Sequence, residues 1–157
     1  MLTRRAFICQ IATLAALGIG CGRGRNQGNP PSPSPVVTIY KSPTCGCCAM
    51  WIDTLRAQGF RTVVHDDEAM DVIKDRLGVP RALHSCHTAE IENYVVEGHV
   101  PAEDLSRLLS ERPEVTGLAA PGMPRSSPGM AVPGAPVEPY EVVAFRRDGW
   151  TQLYARH

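Results

Sequence analysis

The stretch Val36-Val37-Thr38-Ile39-Tyr40-Lys41-Ser42-Pro43-Thr44-Cys45-Gly46-Cys47-Cys48 decides the fold. Its first five residues are β-branched or aromatic and read as a short buried strand. Lys41 to Thr44 then turns the chain, and Thr44 is placed to cap a helix starting near Cys45. Trp51, Ile52 and Leu55 recur at helical spacing, and Gly59 marks the stop. Three cysteines therefore sit where a strand turns into a helix.

Downstream, Phe60 to His65 reads as a second strand. Asp66-Asp67 opens a second helix with Ala69, Met70, Ile73 and Leu77 on one face, ended by Gly78 ahead of Val79-Pro80. Cys86 to Ile91 and Tyr94 to Glu97 form a hairpin across Glu92-Asn93. Pro101 suits the first position of a third helix, with Glu103 and Asp104 in its first turn and Leu105, Leu108 and Leu109 as its apolar face. Residues 117–139, rich in Gly, Pro and Met, read as a loop. Glu141 to Phe145 and Trp150 to Tyr154 flank Arg146-Arg147-Asp148-Gly149 as a closing hairpin. The order strand, helix, strand, helix, hairpin, helix begins with a parallel βαβ unit. The expected class is α/β: a thioredoxin-like fold with an added C-terminal β-hairpin and a Gly/Pro/Met-rich loop.

Upstream, residues 1–21 read as an export signal. Arg4-Arg5 followed by Phe7 has the look of a twin-arginine signal, and the apolar run to Gly20 is short for a membrane span. Gly18-Ile19-Gly20-Cys21 sits where a lipoprotein cleavage box lies, which makes Cys21 a candidate for lipid attachment. Residues 22–35, with Pro30-Pro31-Ser32-Pro33-Ser34-Pro35, form a linker that cannot pack a helix onto a core. The folded domain then spans residues 36–157. Sixteen basic and sixteen acidic residues cancel, and without a basic block nothing points to nucleic acid.

Six cysteines are present, and Cys9 and Cys21 belong to the export segment. Of the four left, three lie within four residues, an arrangement that suits a metal or redox site better than a structural staple. A helix N-terminus offers unpaired N–H groups and partial positive charge, which favour thiolates. Cys45 and Cys48 alone make the C-x-x-C of a thiol–disulfide oxidoreductase, with Cys45 as nucleophile and Cys48 as resolving thiol. Cys47 has no part in that exchange, but three thiolates on one tight turn can bridge soft ions. Among soft metals, zinc prefers two separated ligand pairs, an exported chain disfavours an iron–sulfur cluster, and Cu(I) tolerates two or three thiolates.

Fold logic brings Cys86 to the same turn, since it opens the third strand after Val79-Pro80. Strand alternation sets Cys86 and His87 on opposite faces unless a bulge intervenes, and leaves His84 on the face of Cys86. His84 and His87 are candidate extra ligands, with an ordinary hydrogen-bonded histidine as the alternative reading of each. Met123 and Met130, in Pro-Gly-Met-Pro and Pro-Gly-Met-Ala, are candidate thioether ligands, or else pack the loop back onto the domain. His99, just ahead of Val100-Pro101, reads as leading into the third helix. Met50 and Met70 read as core.

Four motifs in order carry a resemblance. Thr44-Cys45-Gly46-Cys47-Cys48, Ser85-Cys86-His87-Thr88-Ala89, Tyr94-Val95-Val96-Glu97-Gly98-His99-Val100-Pro101 and Gly117-Leu118-Ala119-Ala120-Pro121-Gly122-Met123-Pro124 resemble the CopG-type family of periplasmic copper-resistance proteins. The resemblance runs from about Val36 to the C-terminus. It implies a thioredoxin-like fold and a cysteine-bridged Cu(I) site with several ions per chain. It further implies a periplasmic role in copper resistance that includes copper redox chemistry. By residue match its ligands are Cys45, Cys47, Cys48 and Cys86. The partners to expect are copper ions and other exported copper-handling proteins; the membrane contact at Cys21 lies outside the resemblance and rests on the cleavage box alone, with simple removal of the signal as the alternative.

Overall fold

The computed structural model describes residues 34–157. The export signal, Cys21 and nearly all of the linker lie outside the described residues. Within them, seven strands form one mixed sheet in the order β2-β1-β3-β4-β5-β6-β7. The strands are β1 (Val36–Lys41), β2 (Arg61–Asp66), β3 (His87–Ile91), β4 (Tyr94–Gly98), β5 (Gly117–Ala120), β6 (Glu141–Phe145) and β7 (Thr151–Arg156). Three α-helices join them: α1 (Gly46–Ala57), α2 (Met70–Leu77) and α3 (Ala102–Glu111). β1 pairs parallel with β2 and antiparallel with β3, as a βαβ unit followed by a hairpin requires. No helix among the described residues is long and apolar enough to cross a membrane.

Alternating side chains bury both faces of the sheet. Val37 and Ile39 of β1, Val96 of β4 and Leu118 of β5 pack with Trp51, Ile52 and Leu55 of α1 and Leu105 and Leu108 of α3. The intervening Val95 and Ala119 face the other way, with Phe145, onto Ile73 and Leu77 of α2. One helix layer thus holds α1 and α3, and the other holds α2.

Several sequence expectations need correcting. Residues 117–139 are not all loop, because Gly117–Ala120 is a wholly buried strand linking β4 to the closing hairpin. Gly117 is required there: a Cβ would run into the backbone of Val95. Asp66 ends β2 and ion-pairs with Lys41 at 2.9 Å instead of opening a helix. Asp67 caps the turn below it, accepting from the Ala69 N–H at 2.7 Å, and α2 begins at Met70. Thr44 does not cap α1; its hydroxyl lies 3.1 Å from that of Ser42, and the cap position falls to Cys45. Pro101 occupies the cap of α3 and Ala102 its first turn. Met50 is 54% exposed and belongs to no core.

Candidate metal centre

The sheet register determines what meets at one end of it. Lys41, the last residue of β1, is opposite His87, the first of β3. Thr88 is opposite Glu97 near the end of β4, and Gly98 is opposite Ala120 at the end of β5. The Cys45–Cys48 turn, the Ser85–His87 segment and His99 therefore converge beyond the same edge. The ligand atoms of Cys45, Cys47, Cys48 and Cys86 all lie within 4.8 Å of one another, and so do those of Cys48, Cys86, His87 and His99. Cys48 and Cys86 belong to both sets.

Local structure explains each placement. Cys45 stands at the N-cap of α1 in extended geometry, with no side chain capping the helix, so the first-turn N–H groups stay open beside the sulfurs. Cys48 is fully buried one turn in, while Cys45, Cys47 and Cys86 are half-buried. A disulfide joins Cys45 and Cys48, and Cys47 and Cys86 are free thiols. The Cys47 Sγ lies 3.5 Å from that of Cys45.

Cys86 sits in a bend just before β3, outside the strand pleat. That is why Cys86 and His87 share a site despite the alternation expected of a strand. The His87 Nδ1 is 3.3 Å and the His99 Nε2 3.1 Å from the Cys86 sulfur. The two imidazoles pack against each other at 5.1 Å and His87 lies 4.2 Å from the Trp51 ring, centroid to centroid. Trp51 is itself fixed by its indole N–H, which donates to the Val100 carbonyl at 2.8 Å.

His99 is the residue that sequence reasoning underrated. Its Nδ1 is 2.7 Å from the Pro128 carbonyl, which can only accept, so Nδ1 carries the proton. Nε2 then turns a lone pair toward Cys86, the orientation by which a backbone carbonyl prepares an imidazole for a metal. The strap carrying Pro128 lies tight on α1, for a Cβ at Gly129 would come within 2.5 Å of the Trp51 nitrogen and 3.0 Å of the Cys47 carbonyl.

The electrostatics favour neutral groups here. Burial, then the neighbouring Cys47, pushes the Cys86 thiol up to about 11, with the Ser85 hydroxyl acting in the opposite sense. Burial also holds His87 well below the usual imidazole value, reinforced by His99 and Lys74. His99 is lowered by burial, with the Pro128 carbonyl opposing. The inner donors are thus the neutral His87 and His99 imidazoles and the protonated Cys86 thiol, a soft set of the kind thiophilic metals prefer.

The remaining candidates lie elsewhere. His84 belongs to neither convergent set: its Nε2 is 3.2 Å from the Val79 carbonyl and its Nδ1 3.8 Å from Asp71. Met123 is 44% exposed at a positive φ of 48°. Met130 is half-buried and lines a cavity of about 660 Å³ within its own loop, with Val132 and Val137.

Fold and site together define a mixed α/β protein with a sulfur- and imidazole-lined centre at one end of its sheet. Residues 83–130 match a family described as "Protein of unknown function, DUF411", a span that holds Cys86, His87 and His99. No curated protein matches the chain. Two solved structures do, described as "Copper resistance protein copG- Form 2" and "Copper resistance protein copG- Form 1". Each is 41% identical with a TM-score of 0.74; they cover 79% and 80% of this chain, and 98% of their own chains is covered. The chain belongs to the family of CopG copper resistance proteins.

Proposed function

We propose that this protein is an exported copper-binding protein that holds Cu(I) as a thiolate-bridged multinuclear site on Cys45, Cys47, Cys48 and Cys86, in copper resistance or homeostasis. The convergence of those four sulfurs, from two separate elements, within 4.8 Å carries the reading. Cu(I) suits thiolates that bridge and tolerates low coordination. The Nε2 of His99, with its lone pair already aimed at Cys86, is the first candidate to complete the set, and His87 the second. The Cys45–Cys48 bridge has to be reduced by two electrons and two protons before all four sulfurs can bind. The βαβ-hairpin-helix order, with α1 and α3 on one face and α2 on the other, supports reading residues 36–157 as thioredoxin-like with an added C-terminal hairpin. Export by residues 1–21, a periplasmic location, lipid attachment at Cys21 and copper transfer to other exported copper-handling proteins complete the proposal.

The test is anaerobic Cu(I) titration of the reduced full-length protein against a chromophoric chelator. Several Cu(I) per chain are expected, with fewer in Cys47→Ser and Cys86→Ser. Less than one tightly bound Cu(I) refutes the cluster.

The observed bridge favours a second reading, thiol–disulfide exchange with Cys45 as nucleophile and Cys48 as resolving thiol. Insulin reduction by metal-free protein separates the two. Turnover that survives Cys47→Ser and dies with Cys45→Ser supports exchange.

A further inference from the structure

Below the centre lies a buried ionic cluster that none of the thiol chemistry uses. Lys74 of α2 is 3% exposed, while Glu97 of β4 and Thr88 of β3 are fully buried. The Lys74 ammonium donates to Glu97 Oε1 at 2.6 Å and to the Thr88 hydroxyl at 2.9 Å, and that hydroxyl donates to Glu97 Oε2 at 2.6 Å. One further donor reaches the carboxylate: the backbone N–H of Ser85, 2.5 Å from Oε1.

The last contact matters most. The bend at Cys86 takes Ser85 out of the β3–β4 ladder, whose terminal pair is Thr88 with Glu97. Ser85 is half-buried, and its N–H, without a ladder partner, needs another acceptor. Glu97 supplies it from the neighbouring strand. Ser85 is also wedged against Gly98, where φ is +71° and a Cβ would come within 2.7 Å of the Ser85 hydroxyl. Ser85 leads directly to Cys86 and His87, while Glu97 and Gly98 lead directly to His99. The carboxylate thus ties together the two segments that deliver the inner donors.

Stability does not explain the cluster. A buried ion pair gains little over apolar side chains of like volume, because desolvation cancels most of the attraction. What it supplies is direction, since a carboxylate locked by Lys74 and Thr88 presents its oxygen to Ser85 at one place only.

We propose that Glu97 is a positioning residue for the metal centre: its carboxylate, held by Lys74 and Thr88, fixes the Ser85 backbone and so sets Cys86 against His99. The functional consequence rests on the copper reading above; the positioning itself does not.

Two neutral double variants of the full-length protein separate positioning from packing. Lys74→Met with Glu97→Gln keeps a carbonyl acceptor for Ser85, whereas Lys74→Met with Glu97→Leu removes it. Both lose the charges and both fill the space. The first readout is the alkylation rate of Cys86 by iodoacetamide, followed by peptide mass spectrometry without metal. The Leu variant reacts about tenfold faster than the parent, as expected for one lost hydrogen bond to a charged group. The Gln variant stays within about threefold of it, because a neutral acceptor is the weaker one. The second readout, the sulfur-to-copper absorption bands of the Cu(I)-loaded protein, shifts only with Leu.

Equal Cys86 rates in the two variants overturn the proposal. Where the Leu variant does not fold, Glu97→Asp takes its place, keeping the charge but drawing the carboxylate back by one methylene. An unchanged Cys86 rate in that variant overturns the proposal equally. Failure of the parent protein to bind copper, with the alkylation pattern intact, counts against the copper reading and leaves the positioning standing.

Discussion

Gly129→Ala tests whether the strap over the centre orients His99. Gly129 has φ +81°, in the left-handed region. An alanine there costs about 1 kcal/mol in backbone conformation. Its Cβ would also lie 2.5 Å from the Trp51 nitrogen and 3.0 Å from both the Trp51 Cα and the Cys47 carbonyl. All three are α1 backbone, so no flexible side chain can swing aside. Overpacking of this kind costs roughly 1–3 kcal/mol. The way out is for residues 128–130 to lift, which breaks the 2.7 Å bond from His99 to the Pro128 carbonyl at a cost of about 1–3 kcal/mol. Strain and lifting are alternative routes for the same methyl group, so the smaller sets the loss, about 2–4 kcal/mol in all.

At roughly 2–4 °C per kcal/mol for a chain of this size, the midpoint of thermal unfolding falls by about 10 °C. A second readout is specific to the site. The His99 Nδ1–H, held by the Pro128 carbonyl, should give a slowly exchanging imidazole NMR signal in the parent protein that weakens or disappears in the variant. Gly134→Ala is the control. Gly134 lies in the same loop at φ +83°, but a Cβ there meets nothing within 4 Å. That variant carries the conformational cost of about 1 kcal/mol alone and retains the His99 signal. Equal melting losses and equal His99 spectra in the two variants would refute the idea that the strap is seated on α1.

Trp51→Phe removes the donor to the Val100 carbonyl and leaves a gap beside His87, which should lower stability by about 2–3 kcal/mol in urea unfolding; an unchanged midpoint would show that neither contact matters. The Tyr140 phenol is pushed up to about 12, first by burial and then by the charges of Asp104 and Glu103. Since the folded value lies above the unfolded one near 10, this group's contribution is complete below pH 10 and is lost as pH rises through 12. An ultraviolet titration should show phenols ionising late, with the step near pH 12 missing from Tyr140→Phe; a titration curve unchanged at high pH in that variant would contradict it.

Much of the site was legible in the sequence because local rules set it. A β-branched run, a Pro-containing turn and apolar residues at helical spacing place Cys45, Cys47 and Cys48 at a helix start without any tertiary information. β5 was not legible, because Gly-Leu-Ala-Ala has neither alternation nor β-branched residues. A strand buried on both faces needs neither, so its pattern resembles a loop rich in small residues. The second helix was placed too early, since Asp66-Asp67 resembles a helix start when the Lys41 partner that holds Asp66 in β2 is unknown.

His99 is the instructive case. A two-residue turn at Glu92-Asn93 pairs Ile91 with Tyr94 and Thr88 with Glu97. Continued by two steps, the same register sets Cys86 opposite His99. The ladder itself ends at Thr88 with Glu97, so the 3.1 Å contact is made from the bend before β3 and not by strand pairing. What hid it was the proline after Val100, which drew His99 into the account of the helix that follows.

The two convergent sets share Cys48 and Cys86, and this sharing links the redox state of the turn to the whole centre. A sulfur in a disulfide is no longer a thiolate donor. The Cys45–Cys48 bridge therefore removes two members from the outer, all-sulfur set and one from the inner, sulfur–imidazole set. Cys86 is no part of the bridge, and it is held from the Ser85 segment and not from the turn. Reduction thus restores donors around a sulfur already held against His99. On the copper reading, Cys48 and Cys86 would be the sulfurs common to both donor sets once the bridge is open, whereas Cys45 would serve the outer set alone. Replacing Cys86 should then cost more Cu(I) than replacing Cys45, although both contribute one sulfur.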